Sequence, residues 1–270
     1  MIDLEKVSGL PISVEDGENY HLKFRSPLAQ VVPGIRHIKD MKPVLMDQTA
    51  SSSRSEMYYM YRGVSFPEHA GTIKSHNLRY DITVIPPAMI GQEFNKTVGH
   101  YHPAKQGTPF AYPEVYEIIH GRAMFILQKV DQGLRQLVRV LSFEAKAGDK
   151  VVFPPNYGHA MMNIGNEVLV TANWVADGFE SLYEPIARKH GMAYYVVKAT
   201  ESFGRNPYHF IPNAHYQNHP EVETLAPRNL EAFNIIQPKP MYFLGISNPK
   251  NLEFLTDPEK YAVELSSISS

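Results

Sequence analysis

From Leu78 to Lys198 the chain is divided into short apolar runs by turn residues, and this limits its possible folds more than any other feature. Leu78, Tyr80, Ile82 and Val84 alternate with polar or small neighbours until Pro86 and Pro87 end the run, the period-two pattern of a strand. A tyrosine-rich strand is predicted before it, over 57–64, and further strands over 115–119, 123–130, 134–143, 150–153, 167–175 and 193–197. Gly121, the stretch 131–133, Gly148-Asp149 and the stretch 163–166 supply the turns between them. Parallel strands joined by helical crossovers need connections of about a dozen residues or more, and these gaps are too short. The spacing predicts an all-β sandwich or barrel.

The flanks read differently. Residues 1–50 carry scattered hydrophobics and prolines, with one strand predicted near 30–32, and 47–56 is a polar loop. One helix is predicted over 180–190, with Leu182, Tyr183 and Ile186 on one face and Gly191 as its C-terminal stop. After residue 199 the chain is rich in Pro, Asn and aromatics, and Phe210, Tyr216, Phe233, Tyr242, Phe243 and Phe254 need burial. The expected organisation is an N-terminal arm and loop (1–56), a β-barrel (57–198), and a C-terminal extension (199–270) packing on the barrel or on a partner subunit. A homodimer is the commonest way to cover such apolar surface.

Composition removes several function classes. With no cysteine there is no disulfide framework, thiolate metal site, iron–sulfur cluster or cysteine nucleophile. A net charge of −2 lacks the basic stripe that nucleic acid requires. No apolar run reaches the roughly 18 residues of a membrane span, and the N-terminus has no signal-peptide pattern, so a cytoplasmic enzyme without membrane or nucleic-acid partners is expected.

The chemistry centres on Gly99-His100-Tyr101-His102. Side chains two apart on an extended strand share a face, so both imidazoles can reach one ion. Glu114, Tyr116 and Ile118 share a face of the next strand. If Ile118 points inward, so does Glu114, leaving Glu117 as an outward, solvated carboxylate. These spacings resemble the two cupin motifs. His100, His102, Glu114 and Gly121 match the first (HxH followed by E-x6-G), and Gly148, Pro154, His159 and Asn163 match the second (G-x5-P-x4-H-x3-N). The resemblance implies a cupin, a double-stranded β-helix or jelly-roll-like barrel with a few peripheral helices, holding one divalent ion on His100, His102, Glu114 and His159. Such donors suit Fe(II), Mn(II), Ni(II), Zn(II) or Cu(II), with positions left open for chemistry. Residues 104–113 are longer than the usual cupin link and are either a lid or a neutral surface loop. His209, His215 and His219 are read as surface histidines.

The flanking residues narrow the family. Thr83–Pro87, Gly91–Phe94, Thr97–His102, Pro113–Tyr116, Val152–His159, Asn163–Glu167 and Ala176-Asp177 resemble the cupin-type glucose-6-phosphate isomerases of archaea and some bacteria. The likeness runs over about residues 38–198. It implies a metal-dependent aldose–ketose isomerase of glycolysis and gluconeogenesis, with Fe(II) the first choice of ion and Mn(II), Ni(II) or Zn(II) compatible. It also implies Thr83, Thr97 and Gly99 as phosphate contacts, and Glu114 and Tyr116 as catalytic groups. Proton transfer through an enediol, with Glu114 as base, and a hydride shift with Glu114 as ligand alone are both open. Val98 and Val175 depart from the family, where a basic residue and a tyrosine are common. An isomerase of another sugar, a metal-dependent cupin dioxygenase and a non-catalytic sugar-binding cupin are the competing readings.

Overall fold

Seventeen strands run through the described residues of the computed structural model, which are 1–17, 19–131, 136–199, 207–237 and 239–268. Strands β1 (Ile2–Asp3), β2 (Ile12–Val14) and β3 (Leu22–Phe24) form a small N-terminal sheet. Next come β4 (Gly34–His37), β5 (Glu56–Tyr61), β6 (Leu78–Ile85), β7 (Met89–Ile90) and β8 (Glu93–Phe94). The central run is β9 (Glu114–His120), β10 (Arg122–Val130), β11 (Leu137–Lys146), β12 (Lys150–Phe153), β13 (Tyr157–Asn163) and β14 (Leu169–Ala176). Strands β15 (Tyr194–Lys198), β16 (Tyr208–Pro212) and β17 (Val222–Leu225) complete the set. The predicted turn at 131–133 and the start of the predicted strand at Leu134 fall partly on 132–135, outside the described residues, as do residues 200–206 of the extension.

A six-stranded sheet in the order β12-β9-β14-β6-β5-β4 packs on a four-stranded sheet, β13-β10-β11-β17. Pairing is antiparallel except for β17, which joins β11 in parallel. The chain is therefore all-β with short peripheral helices, the two-sheet architecture of a cupin. Tyr116, Phe125 and Phe153 meet between the sheets, with ring centroids 4.9 to 5.5 Å apart. Gly121 makes the β9–β10 reversal at φ +85°, where a Cβ would lie 2.7 Å from the Val168 carbonyl oxygen; only glycine fits that turn.

The inside–outside assignment along β6 is the reverse of a simple amphipathic strand. Leu78, Tyr80, Ile82 and Val84 face outward, buried under the terminal segments, while Arg79, Asp81 and Thr83 point into the cavity between the sheets. On β9, Ile118 and Glu114 do point inward. Glu117 points outward but is fully buried rather than solvated. It pairs with Lys150 at 3.0 Å and accepts the Met241 N–H at 3.0 Å, because the C-terminal segment covers this face.

Two local expectations need correction. The helix predicted over 180–190 shrinks to Glu184–Ala187, with Pro185 in its first turn. Leu182 instead exchanges backbone hydrogen bonds with Tyr101 (2.8 and 3.0 Å) and is exposed, and an extended residue cannot also begin a helix. Ile186 is buried as expected. No strand forms at 30–32: Val32 is 89% exposed and the chain enters the sheet only at Gly34.

Candidate metal centre

His100, His102, Glu114 and His159 converge, each offering a ligand atom within 4.8 Å of the others. His100 forms an antiparallel β-bridge with His159 of β13, its N–H and carbonyl pairing with those of His159 at 3.1 and 3.0 Å. The strand alternation then turns His102 to the same side. Glu114 opens β9, opposite Val175 of β14, and the neighbouring β14 residue facing the same way, Asn173, donates to Glu114 Oε1 at 2.6 Å.

The arrangement of lone pairs tests whether a cation fits. His102 Nδ1 donates to the Tyr112 carbonyl oxygen at 2.8 Å, which leaves Nε2 as the lone-pair nitrogen. That Nε2 lies 3.2 Å from His100 Nε2 and 3.6 Å from Glu114 Oε2, and His159 Nε2 lies 3.2 Å from the same Oε2. Glu114 Oε2 and both His159 nitrogens are buried without a hydrogen-bond partner. Burial holds His102 and His159 down at about 4, and together with its neighbours His159 and His102 pushes His100 well below its ordinary value. The imidazoles are thus neutral at physiological pH, in the form that binds a metal. Buried acceptors facing one another without protons are unfavourable unless a cation sits among them. The four side chains fit one divalent ion, and N/O donors of this kind do not by themselves select its identity.

Above the centre, the Tyr112 and Phe179 rings stack at 4.9 Å and 2° interplanar, and Phe179 lies 4.7 Å from the His102 ring. Tyr112 belongs to the 104–113 segment, whose Ala111 N–H is bound by Asn156 Oδ1 and whose Lys105 binds Asp257 and Glu259. The segment is pinned at both ends of its turn and orients His102 through the Tyr112 carbonyl.

The centre opens into a cavity of about 410 Å³. Thr83, Thr97, Gly99 and Tyr116 all line it. Thr97 Oγ1 accepts the Met161 N–H at 3.0 Å, which leaves its hydroxyl proton free to donate. Tyr116 keeps its proton, because burial and then the Glu114 charge raise it well above its ordinary value. Burial raises Glu114 as well, although His102 and Tyr116 pull it back. Asn163, the last residue of the second motif, does not reach the centre: it donates to the Ile85 and Glu167 carbonyls and shapes a turn. Sequence reasoning missed Arg36, Tyr58, Arg62, Arg79, Asn173 and Tyr183, which line the same cavity. Strand parity offered a signal for two of them, Tyr58 on the tyrosine-rich strand and Arg79, which shares a strand face with Thr83.

A family model described as Glucose-6-phosphate isomerase (GPI) matches residues 35–213. The glucose-6-phosphate isomerase of Pyrococcus abyssi is 26% identical over 146 residues, 52% of this chain and 70% of that protein. The Thermococcus litoralis isomerase is 28% identical over 50% of this chain and 65% of its own length, and that of Thermococcus kodakarensis 26% identical over 63% and 78%. Among solved structures, Bacillus subtilis oxalate decarboxylase is 20% identical with a TM-score of 0.34, over 49% of this chain and 29% of that one. A Momordica charantia 7S globulin is 18% identical with a TM-score of 0.34, over 54% and 36%. The chain spans about a third of the length of these solved proteins.

Proposed function

The chain belongs to the glucose-6-phosphate isomerase family, and on that premise we propose that it interconverts glucose 6-phosphate and fructose 6-phosphate at the His100, His102, Glu114 and His159 centre. The observation that carries this reading is the meeting of a proton-free donor cluster with Thr83, Thr97 and Gly99 in one cavity. A substrate with a reactive carbonyl at one end and an anion at the other suits such a cavity. A divalent ion bound there, Fe(II) by first choice with Mn(II), Ni(II) or Zn(II) compatible, supplies Lewis-acid stabilisation of charge developing on O1 and O2 of the open-chain sugar.

The proton is handled by the chain itself. Glu114, made more basic by burial, takes the C2 proton of the aldose and returns it to C1 through an enediol. Asn173 fixes the carboxylate's orientation through Oε1. Tyr116, held protonated, gives its hydroxyl proton to O1 as the enediol forms and regains one from O2 as the ketose forms. Thr83, Thr97 and the Gly99 N–H hold the phosphate, and the Tyr112–Phe179 stack excludes water from the reacting end. The same reading makes the protein a cytoplasmic enzyme of glycolysis and gluconeogenesis, assembled as a homodimer. Light scattering at micromolar concentration tests that assembly, and a monomer there removes it.

Incubating the metal-loaded protein with glucose 6-phosphate tests the activity. Fructose 6-phosphate should appear without oxygen uptake. Oxygen consumption would favour a dioxygenase, and binding without turnover would favour a sugar-binding cupin.

A further inference from the structure

Thr83, Thr97 and Gly99 are neutral, and Val98 between the latter two carries no charge. A phosphate dianion drawn into a cavity needs a cation beside its hydrogen-bond donors. We propose that Arg36 is that cation, reaching the phosphate corner of the cavity from the edge strand β4. This rests on the sugar-phosphate reading above and adds a specificity-determining residue to it.

Arg36 stands opposite Tyr58 in the β4–β5 register, and the Tyr58 hydroxyl accepts the Val98 N–H at 3.3 Å. Arg36, Tyr58 and the Thr97–Gly99 turn therefore share one corner. The β4–β5 register shifts just after Arg36, an irregularity of the kind that re-aims a side chain. The guanidinium carbon lies 5.3 Å from the centroid of the Tyr183 ring, which in turn lies 5.3 Å from the His100 ring. The cation is thus one aromatic ring away from the metal centre, a separation that a six-carbon sugar phosphate can bridge.

Arg36 is also the arginine left available. Arg79 is committed to Asp81 and Asp177 at 3.0 and 2.9 Å, whereas Arg36 forms no ion pair among the described residues. Its Nε is buried without a hydrogen-bond partner, and the rest of the guanidinium meets only the neutral Tyr58 and Tyr183 side chains, so its charge is uncompensated at the cavity wall. Arg62 lines the same cavity but is exposed, where water screens its charge. A half-buried guanidinium, with fork geometry that matches two phosphate oxygens, is the stronger anchor.

Calorimetry with D-glucitol 6-phosphate, which carries the phosphate but no carbonyl, isolates this contact from the chemistry. Metal content of each variant is measured in parallel. Wild type should bind, Arg36→Met should bind about 10- to 100-fold more weakly at unchanged metal content, and Arg36→Lys should fall between the two. In steady state the same loss should enter KM for glucose 6-phosphate far more than kcat. Equal affinity in wild type and either variant overturns the proposal, as does wild type failing to bind glucitol 6-phosphate. If wild type binds it with the predicted Arg36 dependence yet does not isomerise glucose 6-phosphate, the phosphate site stands and the isomerase reading falls.

Discussion

Three carboxylates line the cavity, and their surroundings separate their roles. Asp81 is held by Arg79 and the Gly63 N–H, and Glu180 lies exposed at the rim. Only Glu114 faces the imidazoles while buried. Glu114→Gln keeps the shape and one ligating oxygen but removes the basic site. Metal content should be largely retained and turnover should drop by about 10² to 10⁴ at saturating metal. Deuterium carried at C2 of the substrate should reach C1 of the product with part of it lost to solvent in the wild type, whereas a hydride shift would lose none; full activity of the Gln variant would assign Glu114 to ligation alone. The histidines give a second, pH-dependent test. In the unfolded chain they titrate near the ordinary 6.5, whereas in the fold His102 and His159 stay neutral down to about 4. Between those values the unfolded state binds more protons, so stability is lost as pH falls through that window. The metal-stripped protein should lose on the order of 3 kcal/mol per histidine between pH 6.5 and 4. Urea melts of chelator-treated protein should show this slope, and it should shrink in His159→Gln.

At the scale of elements, β9 carries two buried carboxylates on opposite faces. Glu114 serves the cavity, and Glu117 joins the sheet to the C-terminal segment through Lys150 and the Met241 N–H. Burial raises Glu117 to about 7 against the pull of Lys150. Removing one partner of a buried pair strands the other charge, so Lys150→Met should destabilise the fold by about 3–5 kcal/mol. Replacing both, as Glu117→Gln with Lys150→Met, should recover part of that loss. Denaturant unfolding of wild type, Lys150→Met, Glu117→Gln and the double variant checks it, and additive losses would show that the two residues do not act as a pair. The 104–113 segment links the C-terminal segment to the centre in a similar way: Lys105 ties it to Asp257 and Glu259 while its Tyr112 carbonyl holds His102.

Across the whole molecule, both termini close over the outer face of the six-stranded sheet. Leu10, Ile12 and Phe24 from one end, and Tyr242, Leu252 and Phe254 from the other, bury Tyr80 and Trp174. Trp174 is the sole tryptophan. Its Nε1 donates to the Met241 carbonyl oxygen at 3.0 Å, and its ring stacks on Tyr242 at 6.0 Å, so its fluorescence reports the docking of this segment. Tyr242 also accepts the Phe66 N–H at 3.0 Å. Tyr242→Ala should cost about 3 kcal/mol or more and shift Trp174 emission to the red. An unshifted spectrum would mean that the segment stays docked without it.

Features legible in the residues alone are those that short-range geometry controls. Two-residue alternation pairs His100 with His102 and separates Glu114 from Glu117, and the glycine turns at Gly121 and Gly148 space His159 to meet them. The β segments were legible for the same reason, since period and punctuation are local. Tertiary structure alone decided which strands are neighbours. That adjacency brings Asn173 to Glu114 and Arg36 to the Thr97–Gly99 turn, and neither pair is close in the chain. It also decided what lies outside each strand: Glu117 is buried, and Leu78, Tyr80, Ile82 and Val84 turn outward, because segments from both ends of the chain fold back over that face. Burial is a property of the assembled chain, whereas a strand's own residues reveal only that its two faces differ.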